Sequence, residues 1–166
     1  MIEIKKTQRS IVQRLGSGHY RKSYLWDDAK SRFTNEVAVL LHLEEAGCEF
    51  VPKLISACAG SLTITTSDCG LPVQQLPEQK IKELYARLEQ YGVRHEDPEL
   101  RNIVYNSHIG QFSIIDFEFA ELLHPAVDAE TVLQDLFTLG FEAQSVTKQN
   151  SKSLELQQPD ISVPSL

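Results

Sequence analysis

Two polar clusters joined by a short apolar segment constrain the fold of this chain more than any other feature of its sequence. The first cluster is residues 95–102, His-Glu-Asp-Pro-Glu-Leu-Arg-Asn, and the second begins at Asp116, fourteen residues after Asn102. Residues 112–115 are β-branched or aromatic except for one serine, which predicts a buried strand that ends at Asp116. Turn-forming residues at 106–110 predict that the chain folds back, so that the two clusters face each other.

The residue types in these clusters handle protons and metal ions. Asp97 and Asn102 are five positions apart on one tight segment, and Asp116 follows the predicted strand. In ATP-dependent phosphoryl transfer, one Asp orients or deprotonates the acceptor hydroxyl, while an Asn and a second Asp hold Mg²⁺ on the phosphates. The pattern therefore predicts Asp97 as the catalytic residue and Asn102 with Asp116 as Mg²⁺ ligands, with ATP as co-substrate.

The same clusters resemble the signature motifs of the protein-kinase-like superfamily. Residues 95–102 look like its His-x-Asp-x-x-x-x-Asn catalytic loop, and residues 116–118 look like its Asp-Phe-Gly metal motif. Glu96 stands where eukaryotic protein kinases usually have Arg, and Glu118 replaces the Gly. These departures are similar to those tolerated in atypical branches such as the RIO-type, lipopolysaccharide-type, aminoglycoside and choline kinases. The alternative is a chance coincidence of short motifs in an unrelated α+β binding protein.

The glycines near the N-terminus allow two interpretations. Gly16 and Gly18 flank one serine and follow a predicted strand at residues 10–15. Paired glycines adopt positive φ angles without strain and therefore predict a turn. A hairpin turn fits this pattern as well as the loop that covers ATP phosphates, which is what the resemblance implies for Gly16 and Gly18.

Residues 20–26 alternate in a way that predicts a strand. One face of this strand is predicted to carry Tyr20, Lys22, Tyr24 and Trp26. The resemblance matches Lys22 to the strand lysine that binds the α- and β-phosphates of ATP, with Arg21 and Lys30 as competitors. The alternative is that Lys22 is an ordinary solvated lysine.

Residues 29–46 have the pattern of an amphipathic helix. The Asp pair at 27–28 predicts its N-cap, and Gly47 predicts its end. Its predicted buried stripe consists of Phe33, Val37, Leu40, Leu41 and Leu43. The resemblance matches Glu36, close to this stripe, to the glutamate that pairs with the strand lysine in ATP binding. The alternative is a glutamate on the flank of the helix.

Three further segments complete the predicted fold. Residues 61–66 are strongly β-forming, and the turn-rich residues 67–73 resemble the hinge whose backbone reads the adenine edge. Residues 78–91 predict a helix. Its apolar face consists of Ile81, Leu84, Tyr85 and Leu88.

The resemblance gives two more residues supporting roles. His95 is expected to support the backbone of the metal motif. Asp135, in a predicted helix at 128–141, matches a buried Asp that receives hydrogen bonds from the catalytic-loop backbone. Only nineteen residues separate Asp116 from Asp135, which leaves no room for an activation loop.

The predicted fold is therefore α+β, a reduced two-lobed protein-kinase-like fold. Residues 1–66 form a small β-rich N-lobe, 67–73 a hinge, and 74–142 a truncated, mainly helical C-lobe, while the polar tail 143–166 is expected to be disordered. The predicted function is ATP- and Mg²⁺-dependent transfer of the γ-phosphoryl group to a hydroxyl, of a protein Ser/Thr or another acceptor. The alternative is a nucleotide-binding pseudokinase that acts as an interaction module.

Composition excludes several other classes of protein. The formal net charge of −7 leaves no basic surplus for general nucleic-acid binding. No apolar run approaches the length of a membrane span, and the N-terminus lacks the apolar core of a signal peptide. The three cysteines are widely spaced, which favours free thiols in a reducing compartment. Cytoplasmic or nuclear localisation is the resulting expectation.

Overall fold

The computed structural model describes residues 1–123, and a five-stranded antiparallel sheet occupies their first half. Its strands are β1 (Ile2–Lys6), β2 (Ser10–Arg14), β3 (Tyr20–Tyr24), β4 (Leu54–Cys58) and β5 (Thr63–Thr66). They lie in the order β1-β2-β3-β5-β4. The strands predicted at residues 10–15, 20–26 and 61–66 are present, each shorter than predicted.

The end of β3 differs from its prediction. The strand stops at Tyr24, and Trp26 has a φ of +79° and is 66% exposed. Its carbonyl accepts a hydrogen bond of 3.1 Å from the backbone amide of Ala29. The prediction that Trp26 shares a strand face with Lys22 is therefore wrong, because this residue turns the chain out of the sheet and into the following helix.

Helix α1 (Ala29–Glu45) buries residues at steps of three and four against the sheet. These residues include Phe33, Val37, Leu40 and Leu43, as predicted. Leu41 was predicted in the same stripe but is 40% exposed, because it lies about 100° around the helix from Leu40. The helix ends before Gly47, whose φ of +73° confirms the predicted glycine terminus.

Asp28 occupies the N-cap position of α1, but its side chain makes no capping hydrogen bond. Its Oδ1 atom lies 3.0 Å from Nε of Arg32, four residues along the helix. The predicted side-chain cap is thus replaced by an ion pair on the first turn.

The second half of the described chain contains one α-helix and several short strands. These elements are β6 (Leu71–Pro72), α2 (Glu78–Glu89), β7 (Val93–Arg94), a 3₁₀ turn (Leu100–Asn102), β8 (Ile103–Asn106), β9 (Gln111–Ile114) and β10 (Glu121–Leu122). Strands β6, β8 and β9 form one antiparallel sheet, and β7 pairs with β10. The predicted turn at 106–110 joins β8 to β9.

Helix α2 is the predicted helix at 78–91, two residues shorter at its end. Its buried residues are Leu84, Tyr85 and Leu88, and Ile81 is half-buried against the core. The mainly helical character predicted for residues 74–142 is not found in residues 74–123, because hairpin pairing of short apolar segments forms strands there.

The predicted hinge, residues 67–73, connects the two sheets but contains a strand of its own. Leu71 and Pro72 pair with Tyr105 and Val104 of β8. Gly70 has a φ of +119°, and a Cβ atom at this position would collide with the Tyr105 carbonyl group. Close approach of the two backbones therefore requires glycine at this point.

One hydrophobic core continues from the first sheet into the second half of the described chain. Phe33, Phe50 and Phe117 are its largest fully buried side chains. The backbone amide of Ile114 donates a 3.0 Å hydrogen bond to the Phe50 carbonyl, and the Gln111 side chain donates to the carbonyl of Glu49 at 2.7 Å. These contacts hold β9 beside the segment that follows α1, which fixes the position of Asp116.

Several predictions concern residues beyond those described. The predicted helix at 128–141, Asp135 within it, and the tail at 143–166 all lie outside residues 1–123. Within the described part of the chain, neither helix has both the length and the apolar composition needed to cross a membrane.

Candidate functional site

A cavity of about 260 Å³ lies between the five-stranded sheet and the second half of the chain. Its apolar lining includes Val12, Leu40, Ile64 and Val104. Its polar lining includes Lys22, Glu36, Arg101, Asn102 and Asp116, which come from the sheet, from α1 and from the two polar segments of the sequence. The fold thus brings residues that are far apart in sequence to one end of a single cavity.

Lys22 lies at the centre of a buried ionic cluster. Its Nζ atom is 2.7 Å from Oε2 of Glu36 and 3.0 Å from Oε2 of Glu118, and it also pairs with Oδ1 of Asp116. We call these four residues the Lys22 cluster. The predicted ion pair between Lys22 and Glu36 is present, and the alternative of a solvated Lys22 is wrong, because only 11% of its side chain is exposed.

The charges of the Lys22 cluster depend on one another. Burial opposes the charge of Lys22, but the carboxylates of Glu36, Asp116 and Glu118 outweigh it and raise the lysine pKa above its ordinary value. Burial raises the pKa of Glu36, and Lys22 only partly offsets this effect. For Asp116, the attraction of Lys22 outweighs burial and lowers the pKa. Lys22 and Asp116 are therefore both charged at neutral pH.

Tyr24 is a further partner of the Lys22 cluster that the sequence analysis did not assign. Its hydroxyl donates a hydrogen bond of 2.5 Å to Oε2 of Glu36. Tyr24 lies two residues after Lys22 on β3, on the same face of the strand. The alternation of residues 20–24 had already predicted that Tyr24 and Lys22 share one face of the strand.

Arg32 is a second cationic partner of Glu118. Its Nη1 atom donates to Oε2 of Glu118 at 3.0 Å, and the Arg32 side chain is only 3% exposed. Glu118 is therefore shared between Lys22 and Arg32. The sequence analysis missed this pair, and only the position of Arg32 four residues before Glu36 on α1 hinted at it.

Asn35 binds the backbone that follows Asp116. Its Nδ2 atom lies 3.3 Å, 3.2 Å and 2.8 Å from the carbonyl oxygens of Phe117, Glu118 and Ala120. The backbone amide of Phe117 in turn donates to Oε1 of Glu36 at 3.3 Å. These contacts hold residues 116–120 against α1.

The second polar group consists of Asp97, Arg101 and Asn102, which we call the Asp97 cluster. Arg101 and Asn102 line the cavity, and Asp97 does not line it but bonds to both of them. Arg101 Nη2 donates to both carboxylate oxygens of Asp97, at 2.6 Å and 2.7 Å. Asn102 Nδ2 donates to Oδ2 of Asp97 at 2.8 Å and to its carbonyl oxygen at 2.9 Å. Burial favours a neutral Asp97, but the hydrogen bonds from Arg101 and Asn102 and the charge of Arg101 together outweigh it and lower the pKa, so Asp97 is ionised at neutral pH.

His95 connects the two polar segments of the sequence. Its ring is buried between Tyr85 and Phe117, with centroid distances of 5.4 Å and 5.3 Å. Nε2 lies 3.1 Å from the Ile115 carbonyl oxygen, so we assign the ring proton to Nε2. Nδ1 then accepts a hydrogen bond of 3.2 Å from the backbone amide of Asp97. Both ring nitrogens thus form hydrogen bonds to backbone groups, one at Asp97 and one at Ile115.

Some predicted residues do not meet at the cavity. Gly16 and Gly18 lie in the β2–β3 turn, which is closed by a 3.0 Å hydrogen bond from Gly18 N to Leu15 O, and neither glycine lines the cavity. Of the two interpretations given above, the hairpin turn is therefore the one that matches the positions of Gly16 and Gly18. Arg21 and Lys30 are exposed and do not line the cavity either, so Lys22 is the member of these three candidates that reaches it.

The oxygen atoms around Lys22 suit a hard cation. The carboxylates of Glu36, Asp116 and Glu118 offer oxygens that lie within 4.8 Å of one another, but Lys22 pairs with all three of them. Asn102 uses Nδ2 toward Asp97, so its Oδ1 remains to bind a cation, as does the second oxygen of Asp116. Mg²⁺ prefers oxygen ligands of this kind, and its binding by Asn102 and Asp116 stays a prediction.

The cavity is built from short segments that are separated by long stretches of unrelated sequence. Lys22 and Glu36 come from β3 and α1, whereas Arg101, Asn102 and Asp116 come from the second half of the described chain. In comparisons with known proteins, the chain matches no family model, and no curated protein shows significant similarity to it.

Proposed function

We propose that this chain is an ATP- and Mg²⁺-dependent phosphotransferase of the protein-kinase-like type, which transfers the γ-phosphoryl group to a hydroxyl. One observation carries the proposal: Lys22 of the sheet pairs with Glu36 of α1 and with Asp116 after β9, at the polar end of a cavity that Asn102 also lines. A cation held in this way between a sheet and a helix suits the phosphates of a nucleotide.

The proposal includes a reduced two-lobed arrangement. The sheet and α1, within residues 1–66, correspond to the N-lobe, residues 67–73 to the hinge, and residues from 74 onward to the C-lobe. The cavity lies between these parts, which supports this division. The continuous core and the small second sheet are departures from a full-sized kinase.

The lining of the cavity suggests how a nucleotide lies in it. Val12, Ile64 and Val104 provide apolar surface for the adenine ring. Ser67, Cys69 and Gly70 of the hinge line the same cavity and place backbone groups near the ring edge. The triphosphate then extends toward Lys22, and Mg²⁺ held by Asn102 and Asp116 neutralises its charge.

In this proposal Asp97 orients the acceptor hydroxyl and accepts its proton. An ionised carboxylate is needed for that role, and the low pKa of Asp97 meets the requirement. The same low pKa makes Asp97 a weak base, so orientation of the hydroxyl is its larger contribution. The acceptor is a hydroxyl-bearing molecule, with protein Ser/Thr side chains as one class.

A second candidate function is nucleotide binding without phosphoryl transfer, as in a pseudokinase that acts as an interaction module. Arg101 favours this candidate, because it donates to both oxygens of Asp97 and so occupies the positions that an acceptor hydroxyl needs. Turnover of ATP separates the two functions.

The binding step is tested by thermal unfolding with ATP in the presence and absence of Mg²⁺. ATP at a hundred times its Kd stabilises a protein by about 2.7 kcal/mol, or about 5–10 °C in a chain of this size. We expect this shift in the parent with Mg²⁺, and we expect Asp116→Asn to lose the Mg²⁺-dependent part. Because Asp116 has a φ of +70° and Asn tolerates that conformation, the variant keeps its fold.

The matched control is Asp27→Asn, an exposed aspartate that does not line the cavity. It should bind Mg-ATP like the parent. An Asp116→Asn protein that shows the full Mg²⁺-dependent shift would remove Asp116 from the metal site. A parent that shows no shift with Mg-ATP would refute the proposed function itself.

A further inference from the structure

The turn between β1 and β2 uses most of its backbone amides internally. Thr7 N donates to the Ser10 carbonyl at 2.9 Å. The amides of Arg9 and Ser10 both donate to Oγ1 of Thr7, at 3.1 Å and 3.0 Å. Three of the four amides of residues 7–10 are therefore already bonded within the turn, and the turn contains no glycine. Most contacts to a phosphate near this end of the sheet would therefore have to come from side chains.

A β-bulge in β1 sets which residue lies opposite Val12, and both Ile4 and Lys5 line the cavity. Glu3 lies opposite Gln13, but the next pair is Lys5 with Val12, so Ile4 is an extra residue in β1. Without the bulge, Ile4 instead of Lys5 would lie opposite Val12. A bulge of this kind re-aims a side chain, and bulges often occur beside functional sites.

The altered register places two lysines in one row across the sheet. Val12 lies opposite Lys5 on β1 and opposite Lys22 on β3. Residues directly opposite each other on antiparallel strands point to the same face, and neighbouring strands are about 4.8 Å apart. The backbones of Lys5 and Lys22 are thus about 10 Å apart on the cavity face. All three residues of the row line the cavity.

The two lysines differ in how their charges are balanced. Lys22 pairs with three carboxylates. Lys5 has no carboxylate within ion-pair distance among residues 1–123, although its charge contributes to the lowered pKa of Asp116. Lys5 is therefore a cation at the cavity whose charge is not neutralised by a direct partner.

We propose that Lys5 binds the polyphosphate of the nucleotide and makes the cavity selective for nucleoside triphosphates over monophosphates. In this role a side-chain ammonium group compensates for the backbone amides that are already bonded within the β1–β2 turn. Lys22 and Lys5 then bind the phosphate chain from two positions in one row of the sheet. The inference rests on the proposed binding of ATP and adds the residue that recognises the outer phosphates.

The experiment measures the affinities of Mg-ATP and AMP by calorimetric titration of the parent, Lys5→Gln and Lys6→Gln. Lys6 is the matched control, because it is the neighbouring exposed lysine of β1 and does not line the cavity. We expect Lys5→Gln to weaken Mg-ATP binding by about tenfold, as expected for the loss of one charged contact, and AMP binding by less than about twofold. Lys5→Arg should retain most of the affinity, and Lys6→Gln all of it.

Equal weakening of ATP and AMP by Lys5→Gln, or no weakening of either, would overturn the role of Lys5 while leaving ATP binding by the parent intact. Equal effects of Lys5→Gln and Lys6→Gln would show a general effect of surface charge and would also overturn it. A parent that binds no Mg-ATP refutes the proposed function and the role of Lys5 together. Lys5 is exposed on an edge strand, so none of these substitutions removes core packing.

Discussion

The Lys22 cluster and the Asp97 cluster each contribute residues to the cavity lining, but one ion pair in each differs sharply in its exposure to solvent. The side chains of Lys22 and Glu36 are 11% and 6% exposed, whereas those of Arg101 and Asp97 are 65% and 36% exposed. Breaking a buried ion pair leaves an uncompensated charge, but an exposed pair is largely screened by water. The Lys22–Glu36 pair therefore contributes to the stability of the fold. The Arg101–Asp97 pair, in contrast, can break and re-form at little cost in free energy.

The largest expected effect comes from removing a member of the buried cluster. Glu36→Ala leaves the Tyr24 hydroxyl and the Phe117 amide without their partner and removes one of the carboxylates around Lys22. We expect the free energy of unfolding to fall by about 3 kcal/mol. Denaturation by urea measures the change.

The control for this variant is Glu83→Ala on α2. Glu83 pairs with Lys80 at 3.5 Å on the protein surface, so its loss should change the free energy of unfolding by less than about 0.5 kcal/mol. Equal effects of the two substitutions would contradict the contrast between buried and exposed charge.

The next-largest expected effect is on the rate of phosphoryl transfer and not on the free energy of unfolding. Asp97→Asn keeps the shape of the side chain but removes its negative charge, so we expect phosphoryl transfer to fall by about 10²-fold or more with near-normal ATP affinity. Release of ADP, with or without an added acceptor, provides the rate. Glu96→Gln, a change at the exposed neighbour, should leave the rate within about twofold. The same residual rate in parent and Asp97→Asn would favour nucleotide binding without transfer.

The smallest effect is a change in pH dependence. Arg101 contributes to the lowered pKa of Asp97, so Arg101→Gln should return that pKa toward its ordinary value of 3.8. Asp97 then stays ionised over a narrower range of pH, and the acidic limb of the rate–pH profile moves to higher pH. The native state also loses its extra stability at a higher pH on acidification, because a carboxylate with a lowered pKa stabilises the fold only while it is ionised. An acidic limb that does not move would mean that Arg101 leaves the ionisation of Asp97 unchanged.

Local patterns in the sequence predicted most of the helices and several of the strands. Spacing of apolar residues located α1 and α2, and β-forming residues located β3, β5 and β9. For these elements the deciding information lies within a short stretch of sequence. The ion pair of Lys22 with Glu36 was instead predicted from the resemblance to the protein-kinase-like superfamily, because spacing alone does not distinguish a pairing glutamate from one on the helix flank.

The features that escaped prediction depend on contacts between distant segments. The bulge at Ile4 is set by pairing with β2, and nothing in the sequence of β1 alone fixes that register. Arg32 meets Glu118 across 86 residues, so neither side chain reveals its partner locally. Gly16 and Gly18 were ambiguous for the same reason, since a turn pattern does not say which end of a sheet it occupies.

The attachment of α1 to residues 116–120 has a mechanical consequence. Arg32, Asn35 and Glu36 project from one side of the helix, and each bonds to a different part of that segment. A rotation of α1 would have to break all of these contacts together, so the helix and the segment move as one rigid body. Strand β1, by contrast, is exposed along its whole length and pairs with β2 alone. Any opening of the cavity is therefore expected at this outer hairpin, with the Lys22 cluster remaining in place.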